Sequence, residues 1–374
     1  MALNSQASTK NEIKDLFPIV SVILPCYNAE NVVSFAIESV ANSSIAADCE
    51  LIIVNDGSTD QTEAVINATC KHICNLKIKV IKTNNHGVSK ARNTALDVAE
   101  GRYIAFLDAD DCISPCMLEN MVAFAEIRGA DFSYCGMTTD LSQLCKSTTM
   151  PKSESKEKIF STLLYRSRSL RFSSVLYLRK TIEKYHLRFD ESLCYGEDLV
   201  FLWKYAIGCS VFISFNKPFY YYARDNNSSA MHQVRWEMTD VLKAVEQIRE
   251  YIPQEESCLQ ESYDEYMIPR YILFLQKDFA AGNKRELFEK LKMMYPSVSY
   301  QAVIRKARLI IKVSAIIYSL SPSLYFHIFK MLRWGGKSLR HTALELSHQT
   351  RCETGDSFES ISCNTGKSWV KRNS

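Results

Sequence analysis

Short apolar runs alternate with stretches of helical period through the first third of the chain. Residues 20–24 read V-S-V-I-L and stop at Pro25. Over 29–40 the apolar positions Val32, Val33, Ala36, Ile37 and Val40 recur at helical spacing, which predicts a helix. The alternation then repeats. Apolar runs at 51–54, 78–81 and 103–107 are each followed by a predicted helix, over 61–74, 88–99 and 115–127. A-D-F-S-Y-C-G-M at 130–137 predicts one more strand. Continuous apolar strands separated by helices imply βαβ units and a mostly parallel central sheet covered on both faces, an α/β fold. In such sheets, ligands bind beyond the carboxyl ends of the strands. Four of these ends carry polar or turn residues, at 25–28, 55–58, 83–87 and 108–111, and they are expected to converge on one crevice.

Downstream the pattern changes. Residues 138–158 are polar and rich in Ser and Lys, which predicts a mobile loop. Residues 159–227 are apolar and aromatic-rich, and helical period dominates 231–292. A length of 374 residues allows two or three domains, or one with appendages. The net charge of +3 says little, but its distribution is uneven. Residues 301–340 hold eight Lys and Arg and no Asp or Glu, with Leu, Ile, Phe, Tyr and Trp334 interleaved. That composition suits a basic amphipathic helix lying on an anionic membrane; the alternative is a basic helix packed on an acidic partner. The polar tail, 341–374, is expected to be disordered. The first eighteen residues are polar and lack the apolar core of a secretory signal, and no run of eighteen apolar residues occurs. Thirteen cysteines, an odd count without C-x-x-C spacing, read as reduced thiols. These features together predict a cytoplasmic protein, peripheral at the cytoplasmic face of the cell membrane.

The acids carry the chemistry. F-L-D-A-D-D places Asp108, Asp110 and Asp111 at the end of an apolar run. Three carboxylates in four residues repel one another unless a cation compensates. Asp108 and Asp110 would point to one side of an extended chain, which suits Mn²⁺ or Mg²⁺ held by one or two carboxylates and completed by substrate phosphates. Asp56 ends the run before it, and Asp60 reads as a helix cap. Lys90 and Arg92 lie near the start of a predicted helix, where cations oppose the helix dipole and call for an anionic partner. Tyr27 follows the first strand and is either a core residue or a stacking surface for a base. Glu197 and Asp198, in G-E-D, either stabilise a helix start or supply a general base. Neither G-x-G-x-x-G nor G-x-x-x-x-G-K-[ST] is present, so neither a dinucleotide fingerprint nor a P-loop is indicated.

Taken jointly, V-S-V-I-L-P-C-Y-N-A-E, I-I-V-N-D-G-S-T-D, N-H-G-V-S-K-A-R-N-T-A-L, G-R-Y-I-A-F-L-D-A-D-D and G-E-D-L-V-F-L-W resemble family 2 glycosyltransferases, inverting enzymes of the GT-A fold. The resemblance covers about residues 19–225. It implies that Pro25, Tyr27 and Glu30 line a nucleotide pocket and that Asp56 accepts a hydrogen bond from the base, usually uracil. Arg92 and Asn93 would support that pocket. Asp108 would sit near the ribose and the metal, and Asp110 would ligate the metal. Asp198 would be the catalytic base with Glu197 beside it, and Arg224 would cover the diphosphate. The implied partners are a nucleotide-diphosphate sugar donor of the UDP type and a glycan or lipid-linked acceptor, with no nucleic acid.

The expected layout is a nucleotide-sugar half over 19–137, an acceptor and base half over 138–227 with 138–158 as a water-excluding lid, and a helical extension over 228–300. Two other readings of the acids compete. One is a nucleotide-sugar-binding protein without catalysis. The other is a phospho-acceptor receiver module, in which G-E-D would have no role.

Overall fold

The computed structural model describes residues 17–165, 170–223, 234–307 and 309–332. Its centre is a nine-stranded sheet. β1 (Val20–Cys26) pairs in parallel with β2 (Cys49–Asp56) and β4 (Tyr103–Phe106), and β2 pairs in parallel with β3 (Lys77–Thr83). On the other side of β4 comes β8 (Val175–Leu178), antiparallel, and then β6 (Phe132–Thr138). β6 runs parallel to β9 (Phe212–Tyr221), against which β5 (Cys112–Ile113) and β7 (Lys152–Glu154) lie antiparallel. The order is β3-β2-β1-β4-β8-β6-β9-β5, with β7 also on β9. Six strands therefore share one direction, and their carboxyl ends form one rim.

The two faces follow from the alternation of side chains along the strands. Val20, Val22 and Leu24 of β1 and Leu51 and Ile53 of β2 face α1 (Val33–Ala41) and α4 (Met117–Arg128). Ile23, Ile52 and Val54 face the other way, toward Ala91, Ala95 and Leu96 of α3 (Val88–Val98). α2 (Thr62–Cys70) lies between β2 and β3 in the chain. With both faces covered, the inner strands are buried end to end, which is why they read as unbroken apolar runs.

α1 begins four residues later than its apolar spacing predicts. Residues 28–30 are held by the loop after β2 instead: Ala29 N–H donates to Thr62 Oγ1 (2.7 Å) and Glu30 N–H to Asp60 Oδ2 (3.3 Å).

Residues 138–158 are not a lid over the rim. Thr138 pairs with Tyr221 at the rim end of β9, but the chain then runs down the edge of that strand, away from the rim. Cys145 N–H donates to Pro218 O (2.7 Å), Thr149 N–H to Asn120 Oδ1 (3.1 Å), and β7 pairs with the far end of β9. Polar composition misled here because an edge strand keeps one side in water.

The second half is helical and shares the core of the first. α5 (Lys156–Tyr165) and the short α6 (Arg179–Lys184) precede α7 (Glu197–Ile207), which carries G-E-D. α8 (Asp240–Tyr251), α9 (Ser257–Ala281), α10 (Arg285–Met294), α11 (Gln301–Lys306) and α12 (Leu309–Leu320) follow. One apolar cluster runs from Ile23 and Phe106 through Phe201 and Trp203 of α7 to Val245, Leu275 and Tyr325. The helical extension is thus built onto the sheet as part of one body. No helix among the described residues is long and apolar enough to cross a membrane.

Candidate functional site

The rim is assembled from four loops that hold one another. After β1, Asn28 adopts a left-handed conformation (φ 48°), and its Oδ1 accepts from Thr59 N–H at 2.8 Å. Glu30 does not reach into the crevice. Its Oε2 accepts from Gln61 N–H (2.8 Å), next to the start of α2, so it ties the first loop to the second. Pro25 is buried in β1 opposite Val54. Tyr27 is 47% exposed at the rim, a free ring face and not a core residue.

Asp56, 3% exposed, holds the loop after β3. One oxygen accepts from Thr83 Oγ1 (2.7 Å), the other from Gly87 N–H (2.7 Å), and His86 N–H lies 3.1 Å from both. Gly57 is required beside it. Its φ is +73°, and a Cβ there would meet Asn85 N at 2.6 Å. The second and third loops therefore close on each other over Asp56, and Tyr27 is left exposed beside them.

The D-A-D-D segment is a turn, not the extended chain expected from two-residue spacing. Asp111 N–H donates to Asp108 O (3.0 Å). The turn separates the acids. Asp108 and Asp110 are half-buried at the rim, and Asp111 points inward and is fully buried. Asp111 accepts from Tyr220 O–H (2.8 Å) and Ala223 N–H (2.9 Å), which fastens the turn to the end of β9. Burial pushes its carboxyl up to about 8, and the charges of Asp108 and Asp110 push the same way.

Arg92 joins the two halves. It lies in the second turn of α3 and is 5% exposed, with its guanidinium over the rings of Phe172 (5.1 Å) and Phe189 (5.3 Å). Phe106, at the end of β4, packs on both rings and on Phe201 of α7. From this aromatic seat Arg92 reaches Asp108 Oδ1 with one terminal nitrogen and Glu197 Oε1 with the other, each at 3.0 Å. The end of β4 and the start of α7 are thus fixed on one guanidinium. Lys90 pairs with Glu191 (3.3 Å), so both cations near the start of α3 have anionic partners, as their placement against the helix dipole predicts.

Asn93 supports the same corner. Its side chain donates to Phe189 O (2.9 Å) and Glu191 Oε1 (2.9 Å) and accepts from Phe189 N–H (2.8 Å). It faces residues 189–191 and does not line the crevice.

At the start of α7 the two acids differ. Glu197 is mostly buried against Arg92. Burial raises its carboxyl to about 7, the neighbouring Asp198 charge adds to that, and Arg92 opposes it. Asp198 is exposed, with Oδ1 accepting from Leu199 N–H at 2.7 Å. Gly196 lets the helix begin here. Its φ is +92°, and a Cβ would stand 2.7 Å from Ala244 Cβ of α8. The extension helix therefore presses directly on the segment that presents Asp198.

Asp108, Glu197 and Asp198 act on the buried Arg92 guanidinium, and Asp110 and Asp111 follow Asp108 in the same turn. Charges of neighbouring acids raise both Asp111 and Glu197, so negative charge is in excess. A hard divalent cation fits that excess. Among the described residues no group of three or more His, Cys, Asp or Glu side chains is arranged to hold a metal. Asp108 and Asp110, the two half-buried acids at the rim, are residues that could hold one, with substrate phosphates completing its shell. Arg224 lies outside the described residues. No motif or spacing marks Tyr220, Glu191 or the Phe172 and Phe189 rings, because their roles depend on contacts with distant segments.

Residues 21–171 match the family model described as Glycosyl transferase family 2. They belong to that family. The family 2 domain holds every rim loop, and α7 follows it. EpsJ of Bacillus subtilis (strain 168), described as an uncharacterized glycosyltransferase, is 32% identical over 198 residues, 50% of this chain; the match spans 55% of EpsJ, about half its length. The putative glycosyltransferase EpsH of the same organism is 27% identical over 289 residues, 74% of this chain and 81% of EpsH. The crystal structure of S. aureus TarS 1–349 in complex with UDP-GlcNAc superposes with a TM-score of 0.62 at 19% identity, covering 84% of this chain and 92% of that one. The fold is thus the GT-A type, with helices appended.

Proposed function

We propose that the protein is an inverting glycosyltransferase that moves a sugar from a nucleotide-diphosphate donor, a UDP-sugar, to a hydroxyl of a glycan or lipid-linked acceptor. The observation that carries the reading is the double ion pair of Arg92, which brings the acids after β4 and those at the start of α7 to one crevice. Tyr27 offers its exposed ring to the base, beside the Asp56 edge. Asp108 and Asp110 would hold Mn²⁺ or Mg²⁺, which would supply positive charge to the departing diphosphate. Asp198, the exposed acid at the start of α7, takes the proton of the acceptor hydroxyl as it attacks. Attack opposite the leaving group inverts the anomeric carbon. Glu197 is a positioning residue: it is spent on Arg92 and fixes the helix that presents Asp198. The protein works from the cytoplasmic side of a membrane, with the basic segment 301–340 as its contact.

A calorimetric titration with UDP tests this reading. Mn²⁺ is expected to tighten UDP binding by about tenfold or more. Asp110→Asn should lose that gain and keep the metal-free affinity. A wild-type protein with no affinity for UDP, with or without Mn²⁺, would overturn the proposal.

A further inference from the structure

Helix α12 faces the wrong way for a helix of a water-soluble surface. Its buried side is Ser314, Ala315 and Tyr318. Its outer side is Leu309, Ile310, Val313, Ile316 and Leu320, of which Leu309, Ile310 and Leu320 are 75%, 82% and 80% exposed. The three- and four-residue spacing of 309, 313, 316, 320 and 324 makes these one stripe, carried by exposed Leu324 onto the next helical stretch, 322–332. Exposed Met331 and Leu332 stand at its far end. Scattered apolar side chains on a surface are ordinary, but an aligned row of large aliphatic ones marks a contact.

The charges within the segment that carries the stripe are of one sign. Arg305, Lys306 and Lys330 are exposed and Lys312 is half-buried. None of the four forms an ion pair with another described residue. No Asp or Glu occurs from 301 to 340. Elsewhere among the described residues Lys and Arg do pair with Asp and Glu, as at Lys77–Glu100 and Arg285–Glu289.

We infer that this stripe and its cations form a peripheral docking surface for an anionic phospholipid membrane, with α12 lying flat in the interface. Charge complementarity selects this occupant. In a two-fold contact between copies the segment would meet itself, cations against cations with no carboxylate of its own between them. An anionic headgroup layer supplies the missing charge, and the acyl boundary takes the aliphatic row. Twelve residues span about 18 Å of helix, too short to cross a bilayer, so the helix lies on the surface. The surface is also rigidly connected to the crevice. α12 and α11 pack on α9, α9 on α8, and α8 on α7 at Gly196.

The test is flotation of the full chain with vesicles of phosphatidylglycerol in phosphatidylcholine, against phosphatidylcholine alone. The wild-type protein should float with the anionic vesicles and detach as salt is raised. Ile310→Asp combined with Leu320→Asp should lower the bound fraction about tenfold or more, and an unchanged thermal melt would show the fold intact. Arg305→Glu with Lys330→Glu, also at exposed positions, gives a second measurement should the first pair not fold. Undiminished flotation of a folded variant overturns the inference. So does a solution dimer of the wild-type chain that the aspartates dissociate, which would assign the face to a second copy. UDP binding is read separately and should be unaffected by these substitutions, so failure here leaves the transfer reading standing.

Discussion

Asp198→Asn is expected to lower kcat by roughly a hundred- to ten-thousandfold, the range that a positioned general base contributes, with the donor KM little changed. Asp198 is the exposed acid of its pair, while Glu197 is committed to Arg92. Asparagine keeps the shape and the acceptor for Leu199 N–H, which the aspartate now bonds at 2.7 Å. What it loses is the ability to take a proton. Steady-state kinetics with saturating acceptor, alongside UDP titration of the variant, separate the two effects. Full activity in Asp198→Asn with loss in Glu197→Gln would move the base to Glu197. That group's raised carboxyl, about 7, would suit proton transfer near neutral pH but is occupied by an ion pair here.

Arg92→Met should cost about 3–5 kcal/mol of stability, because it leaves buried charge without its partner. Glu197 is mostly buried, and the seat made by Phe172 and Phe189 excludes water from the guanidinium. Methionine fills much of the volume, so the loss reports the charge and not a cavity. Urea unfolding of both proteins measures it. A loss below about 1 kcal/mol, the range of exposed pairs, would mean that Arg92 does not hold the two halves together. Lysine is not a substitute, since one ammonium lacks the fork that reaches Asp108 and Glu197 at once.

Much of the first half can be read from the chain. Buried parallel strands leave unbroken apolar runs, and the helices between them leave a period, so β1 to β4 and α3 fall within a residue or two of their expected places at most ends. The partners of Lys90 and Arg92 follow from the helix dipole. The second half hides its logic because it depends on contacts across the chain. The turn at 108–111 is set by a hydrogen bond that spacing does not reveal, and it sends Asp111 inward to Tyr220, more than a hundred residues away. Glu30 and Asn93 match family motifs, yet one ties two loops together and the other holds residues 189–191. The edge strand at 152–154 reads as loop because only one of its sides is paired.

The most direct test is a crystal structure of the protein soaked with UDP and Mn²⁺. The metal should lie between the diphosphate and the Asp108 and Asp110 carboxylates, with uracil against Tyr27 and Asp198 facing them across the same crevice. A nucleotide bound elsewhere, or bound here with Asp198 turned into a separate cleft, would contradict the account.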